Sequence, residues 1–336
     1  MSAPATLLIR GDGVSVATAV RLLAREGFEL AGAGEIVRSP APVVMLSEAA
    51  LALLRDIFEQ PELFAGHVVI ARRIVAWGST ERAIMPHAAI VVSGAELALA
   101  LSAPLPIIPA SDALFTLHGA SPFPEAAQRR FGHREAVAAA VELVPKADPH
   151  ACHVEATALG WLFLIPCGEG RGWLLGVGDT LEALLGRSRL VATQIRALGP
   201  VTARFETAPH MLERLSGEDW LACGTAAIAF DPICGDGTAQ AAREAVLAAA
   251  VIAGIREGGD TPALLDHYQA MLLAAMRRHL QISLPFYRSG GTSGWWREQA
   301  EAVADGYAWC TARLATIPEP RFLMRGARLV SRELAA

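Results

Sequence analysis

Residues 220–238, from Trp220 to Thr238, restrict what this chain can fold into more than any other stretch. An apolar, strand-like run ends at Gly224, a Phe230-Asp231-Pro232 turn follows, Gly235 and Gly237 come next, and an alanine-rich helix begins. Strand, glycine turn and helix in that order bring backbone amides close to a ligand and aim the positive end of a helix dipole at it. The chain opens on the same pattern. Residues 5–10 read as a strand, Gly11-Asp12-Gly13 as a turn, Val14–Glu26 as a helix capped by Gly27, and Phe28-Glu29-Leu30 as a returning strand.

Between these two units, apolar spacing predicts helices over Ser47–Phe58 and Glu96–Leu101, and a hairpin or strand pair over Val68–Ala76 reaching Trp77. Residues 103–125, rich in proline and serine, are expected to be irregular. Ala136–Leu143 is ambiguous by periodicity. Strand-like runs cluster at Val154–Ala158, Trp161–Ile165 and Trp173–Val177, with a turn at Gly168–Gly172. Thr180–Leu198 is expected to be helical, Val201–Glu206 a strand and 219–230 the motif strand. Helices follow at 238–256, 261–281 and 294–314, before a less regular tail. The fold class is α/β: a Rossmann-like nucleotide-binding domain assembled from two distant segments, 1–60 and 200–258. An antiparallel-sheet substrate domain is inserted at 61–199, and a C-terminal helical region spans 259–336.

Composition removes several function classes. A formal charge of −5 over 336 residues leaves no basic footprint for nucleic acid. Hydrophobic residues make up 53% of the chain, but Ala241–Ile255, the most apolar run, is interrupted by Arg243 and Glu244, so no membrane span is expected. Leu7–Ile9 is too short for a signal core and leads straight into a glycine turn, so a cytoplasmic protein is expected. The cysteines, Cys152, Cys167, Cys223, Cys234 and Cys310, form no C-x-x-C pair and read as reduced thiols. His150, Cys152, His153 and Glu155 are metal-capable types, and a strand there puts His153 and Glu155 on one face; a polar strand edge explains them as well, and no metal is assigned.

The residue order of 220–238 resembles the second flavin-contacting motif of the FAD-dependent monooxygenases and flavin-dependent halogenases, G-D-A-A-x-x-x-D-P-x-x-G-x-G. Thr225 stands where that pattern has its first acid. Trp161-Leu-Phe163-Leu-Ile165-Pro166 resembles the W-x-W-x-I-P segment of the halogenases, with Phe for the second Trp; alternation puts Trp161, Phe163 and Ile165 on one strand face. Pro285-Phe286-Tyr287 followed by Trp295-Trp296-Arg297 resembles the F-Y…F-W-x-R tail of halogenase-like monooxygenases, including flavoproteins that modify tryptophan in quinone-cofactor enzymes. Such aromatics either wall a substrate channel or pack a helix onto the sheet. The resemblances, near residues 7–30, 161–177 and 204–297, together cover most of the chain.

The departures from the family pattern are as informative. Gly11 and Gly13 occupy the first two glycine positions of a dinucleotide fingerprint, but the third falls at Val16. The ribose-gripping acid falls near Gly34, with Glu35 one residue late. Asp12 brings a negative charge to the pyrophosphate position, and a plain strand–helix turn remains an alternative for the whole segment. Arg72-Arg73 reads either as a reach toward a pyrophosphate or FAD ribose or as solvated surface, and the Ser289–Gly294 loop reads as a connector. The halogenases carry a catalytic lysine after their first glutamate-containing helix. The matching stretch, Pro42–Ala50, has none, and Lys146, the single lysine of the chain, stands in a different context. Halogenation through a lysine haloamine is therefore not expected.

The resemblance implies an FAD-dependent monooxygenase that hydroxylates an aromatic, small or peptidyl (a peptidyl tryptophan for example), through a flavin C4a-hydroperoxide, with NAD(P)H or a flavin reductase as electron donor. It places Gly11 and Gly13 near the diphosphate and Gly224 and Thr225 near the ribityl chain and diphosphate. Asp231, Pro232, Gly235, Asp236 and Gly237 frame the isoalloxazine, with amides near Gly237 and Thr238 stabilising charge on the reduced ring. Loss of a charge-assisted hydrogen bond at Thr225 costs roughly 1.5–3 kcal/mol, so FAD is expected to bind weakly. The competing readings are a flavoprotein-fold pseudoenzyme serving as a binding or maturation partner, and a nicotinamide-binding reductase without flavin.

Overall fold

A computed structural model describes residues 6–33, 41–78, 81–102, 104–107, 115–125, 127–235 and 237–332. Gly34, Glu35 and Asp236 lie outside the described residues. One sheet is built around Thr6–Arg10, which pairs in parallel with Glu29–Ala33 on one side and Phe115–His118 on the other. Phe115–His118 pairs in parallel with Trp220–Ala222, and Ser216–Gly217 closes that edge. Leu7, Leu8 and Ile9 are all buried, as expected of a central strand covered on both faces. Residues 103–125 were expected to be irregular, yet Phe115–His118 within them is a central strand of this sheet. Its four residues are too few for periodicity to show against the surrounding prolines and serines.

Val14–Arg25 and the long helix Gly237–Arg256 pack on this sheet, and the Ser15 hydroxyl donates to the Ala241 carbonyl at 3.0 Å. Ala242, Ala245, Ala248 and Val251 are fully buried, so the alanines serve close helix approach. Among the described residues this is the one helix long and apolar enough to cross a membrane, and most of it lies inside the protein core.

The second sheet has eight strands, in the order Ile195–Glu206, Glu135–Leu143, Arg171–Val177, Gly160–Gly168, Ala151–Thr157, Val68–Ala76, Ala83–Ser93 and Val43–Ser47. All neighbours are antiparallel except Val68–Ala76 and Ala151–Thr157, which are parallel. Glu135–Leu143, the ambiguous segment, is a strand: hydrogen bonding on both sides overrides the helical propensity of its alanines. Val68–Ala76 is a single strand, not a hairpin, and turns back through Ala83–Ser93.

The helix expected over Thr180–Leu198 is largely absent. Only Leu181–Leu185 is α-helical, and Ile195 already starts a strand. Glu155 is the cause. Its carboxylate accepts from the backbone amides of Arg189 at 2.7 Å and Val191 at 2.8 Å, from that of Leu190, and from the Ser188 hydroxyl. Those amides are thus withdrawn from any helix. The tail is likewise more regular than expected, forming a hairpin of Phe322–Arg325 and Arg328–Ser331.

The two faces of the large sheet have different coverings. Leu162, Leu164, Leu174 and Val141 meet Leu181, Leu184 and Val191 from the 181–194 segment. Trp161, Phe163 and Ile165 lie on the opposite face and belong to the core shared with the parallel sheet. Thr261–Ser289 and Gly294–Leu314 pack together against this side, where Trp296 is fully buried and its indole donates to the Thr157 carbonyl at 2.8 Å.

Candidate functional site: a glycine cradle beside a sheet floor

Ligands of open α/β sheets bind beyond the carboxyl ends of the parallel strands. Three such ends meet here, and each carries a glycine. Thr6–Arg10 runs into Gly11 at φ +89°, Phe115–His118 into Gly119, and Trp220–Ala222, through Cys223, into Gly224 at φ +80°. The backbones are close: a Cβ on Gly11 would sit 2.8 Å from Ala120, and one on Gly119 would run into Val16 Cγ2. Gly119 escaped sequence reasoning because its strand did. Its signal was the apolar Phe-Thr-Leu preceding a His-Gly pair.

Gly13, at φ +92°, is exposed, and a Cβ there would meet no atom within 4 Å. Gly237, the first residue of its helix, is likewise exposed and open, with half-buried Thr238 beside it. Among the described residues the first turn of that helix holds no acid, and its first amides have no partner within the helix. Gly13 and Gly237 thus leave backbone exposed at the carboxyl ends of the parallel strands. The third glycine position is filled by Val16, which is buried against Gly119. Thr225 is exposed, and its carbonyl lies 3.1 Å from His210 Nε2. Partial burial pushes the Asp12 carboxyl upward, consistent with a charge poorly accommodated at this turn.

Asp231 is turned into the core. Its side chain is fully buried and pairs with Arg134 Nη2 at 3.0 Å, where the guanidinium is also fully buried. The Tyr287 hydroxyl donates to the same carboxylate oxygen at 2.5 Å, and the second oxygen accepts from the Ile233 amide at 3.0 Å. The Asp231 amide in turn donates to His279 Nε2 at 2.9 Å, and burial pushes His279 down to about 4, so the ring is neutral and able to accept. Arg134 also donates to Gln299 at 2.8 Å and lies 4.6 Å from the Tyr287 ring centre. This knot ties the loop to both C-terminal helices. It also decides between the readings of the aromatic tail: Tyr287 and Trp296 are packing residues, while half-buried Trp295 lines a cavity of about 410 Å³ with His133, Asp179 and Arg204. Pro232 begins the short turn Pro232–Cys234, and Gly235 leaves it at φ +65°.

Beside Gly235 lies the sheet. Arg73 comes within 3.2 Å of where a Gly235 Cβ would be, and its Nη2 is 3.1 Å from His87 Nε2. Its guanidinium carbon is 6.0 Å from the Phe163 ring centre, and strand register puts Arg73 beside Cys152 and Met85. Burial and the Arg73 charge both lower the His87 pKa and keep the imidazole neutral. The same face continues through Ile165, Trp173 and Leu175 by cross-strand register. Arg72 points the other way and pairs with Asp148 at the surface. The paired arginines thus split between solvent and site, as strand alternation requires. His153 and Glu155 do share a face, but it is the far one, with Leu164 and Leu162. Under Gly224, the buried Glu244 carboxyl reaches the Gly224 backbone and the Gln240 side chain; burial pushes it up to about 8.

No protein-family model and no curated protein matches this chain by sequence. Solved structures match it by shape. The peptidyl tryptophan dihydroxylase QhpG, essential for tryptophylquinone cofactor biogenesis, aligns with a TM-score of 0.76 at 18% identity, over 98% of this chain and 86% of that one. The flavin-dependent halogenase CmlS aligns at 0.74 and 16% identity, over 92% of this chain and 70% of that one. PqsL, a probable FAD-dependent monooxygenase from Pseudomonas aeruginosa, aligns at 0.62 and 14% identity, over 92% and 99%. The chain shares its fold with these proteins, as its motifs implied.

Proposed function

We propose that this chain is an FAD-dependent oxidoreductase of the monooxygenase class that hydroxylates an aromatic substrate. The observation that carries the reading is the juxtaposition of two surfaces. A backbone cradle, open at Gly13 and Gly237, borders a mostly apolar sheet face that ends in one cation, Arg73, and one neutral imidazole, His87. The fold shared with known flavoproteins supports it.

Gly11, Gly13 and Gly224 would hold the diphosphate and ribityl end, and Gly235, Gly237 and Thr238 the ring end. Bound reduced flavin supplies the activation of oxygen. The remaining work belongs to the protein. The amides opening the Gly237–Arg256 helix stabilise negative charge at their end of the cleft. Phe163, Ile165, Leu175 and Trp173 hold an aromatic ring and keep water from it. His87, neutral near pH 7, can accept a proton at an imidazole nitrogen. Asp231 takes no part in this chemistry and holds the loop in place. NAD(P)H or a separate flavin reductase would deliver the electrons. A peptidyl tryptophan is the finer substrate reading, suggested by the likeness to QhpG.

A second reading is supported by the same cradle. Val16 fills the third glycine position, Thr225 offers a hydroxyl in place of a carboxylate, and Asp12 adds a negative charge. A chain that has lost its cofactor and acts as a binding or maturation partner fits these three features. An absorbance spectrum of the purified protein, followed by an FAD titration, separates the two. Saturable binding with a perturbed flavin spectrum supports the enzyme; no binding at millimolar FAD sinks it.

A further inference from the structure

Among the described residues Arg73 is a cation without an anion: no carboxylate pairs with it, and its Nε is buried with no hydrogen-bond partner. Its polar neighbours are His87 at 3.1 Å and the Cys152 thiol. The contrast with the other arginines is sharp. Arg72, one residue earlier, pairs with Asp148, and Arg134, on the far side of the loop, pairs with Asp231. A guanidinium left half-buried and unpaired is costly unless something else neutralises it. Its setting describes what that is. Phe163 lies under the guanidinium, Ile165 is buried next along that strand, and Val75 and Val154 are half-buried on the same face. One guanidinium beside a neutral imidazole offers a single positive charge with free N–H groups in a planar fork, which suits a monoanionic, planar oxyanion.

We propose that Arg73 and His87 form the receptor for a carboxylate carried by the aromatic substrate, so that the cleft selects aromatic acids over neutral aromatics. The inference rests on the reading of this face as the aromatic-binding surface. It does not require that FAD be bound when the acid enters.

The test is calorimetric titration of the full-length protein, without added FAD, using benzoate and indole-3-carboxylate against benzamide and indole-3-carboxamide. The wild type should prefer at least one acid over its amide by about tenfold or more, the usual worth of a charge-assisted bidentate contact. Arg73→Gln should erase that preference, while Arg72→Leu, which removes the neighbouring charge from the opposite face, should keep it. No acid preference in the wild type, including no binding of any of the four, overturns the proposal, and so does a preference retained in Arg73→Gln. A parallel FAD titration keeps the two readings apart. FAD binding without an acid preference sinks the receptor alone; an acid preference without FAD binding sinks the flavin reading and leaves the receptor standing. A loss of FAD affinity in Arg73→Gln, with no acid preference in the wild type, would assign the anion to the cofactor and overturn the substrate receptor.

Discussion

Asp231 and Gly237 stand on one loop, a few residues apart, and belong to different machines. Asp231 is buried in a closed knot with Arg134, Tyr287 and a neighbouring backbone amide. Gly237 is exposed, opens a helix and meets nothing within 4 Å of a would-be Cβ. The first half of the motif is locked into the core, and the second half leaves its backbone exposed. The contrast shows that the shape of such a turn is held by a buried ion pair and by glycines, independently of what the turn binds. On the proposed flavin reading, the grip on a cofactor would depend instead on positions such as Thr225 and Val16.

The largest expected effect breaks the knot. Asp231→Ala leaves Arg134 buried without a counter-charge and should destabilise the protein by about 3–5 kcal/mol in urea unfolding. FAD affinity of the folded fraction should change far less. A large affinity loss with unchanged stability would mean that the carboxylate serves the ligand, and the comparison would fail.

Glu244 sharpens the boundary, because it lies under Gly224 at the cradle. Burial pushes its carboxyl in the folded state up to about 8, from the ordinary 4.5 of a glutamate. The folded state therefore holds a proton that the unfolded state releases, and stability should fall as pH rises from about 4.5 to about 8, then level off. Glu244→Gln should remove that slope and be the more stable protein at pH 8, by on the order of 4 kcal/mol. Equal slopes in urea titrations of the two proteins would contradict this.

On the cradle side, Gly13→Val places a side chain at positive φ in the open space, with a strain of about 1–2 kcal/mol. FAD binding should disappear while the protein stays folded. Smallest of all, Arg72→Leu should change stability by under about 0.5 kcal/mol, because its partner Asp148 and it are both at the surface.

Much of this was legible in the sequence. Glycines that need positive φ, at Gly11, Gly13, Gly224 and Gly235, announce themselves, since few other residues tolerate that backbone. The apolar alternation of Trp161, Phe163 and Ile165 gave the correct sheet face. What failed was set by distant partners. Nothing local shows that Glu155 will unmake a helix thirty-odd residues later, or that Asp231 will find Arg134. The division of Arg72 from Arg73 needed the strand register, and the strand at Phe115–His118 needed its two neighbours.

The central claim is that the glycine cradle holds FAD through its backbone and holds it loosely because Thr225 replaces an acid. Side-by-side FAD titrations of the wild type and Thr225→Asp, read by flavin absorbance, test it most directly. The account predicts weak, saturable binding by the wild type and a dissociation constant lower by roughly ten- to a hundredfold in the variant. Identical constants, or no binding by either protein at millimolar FAD, would contradict it.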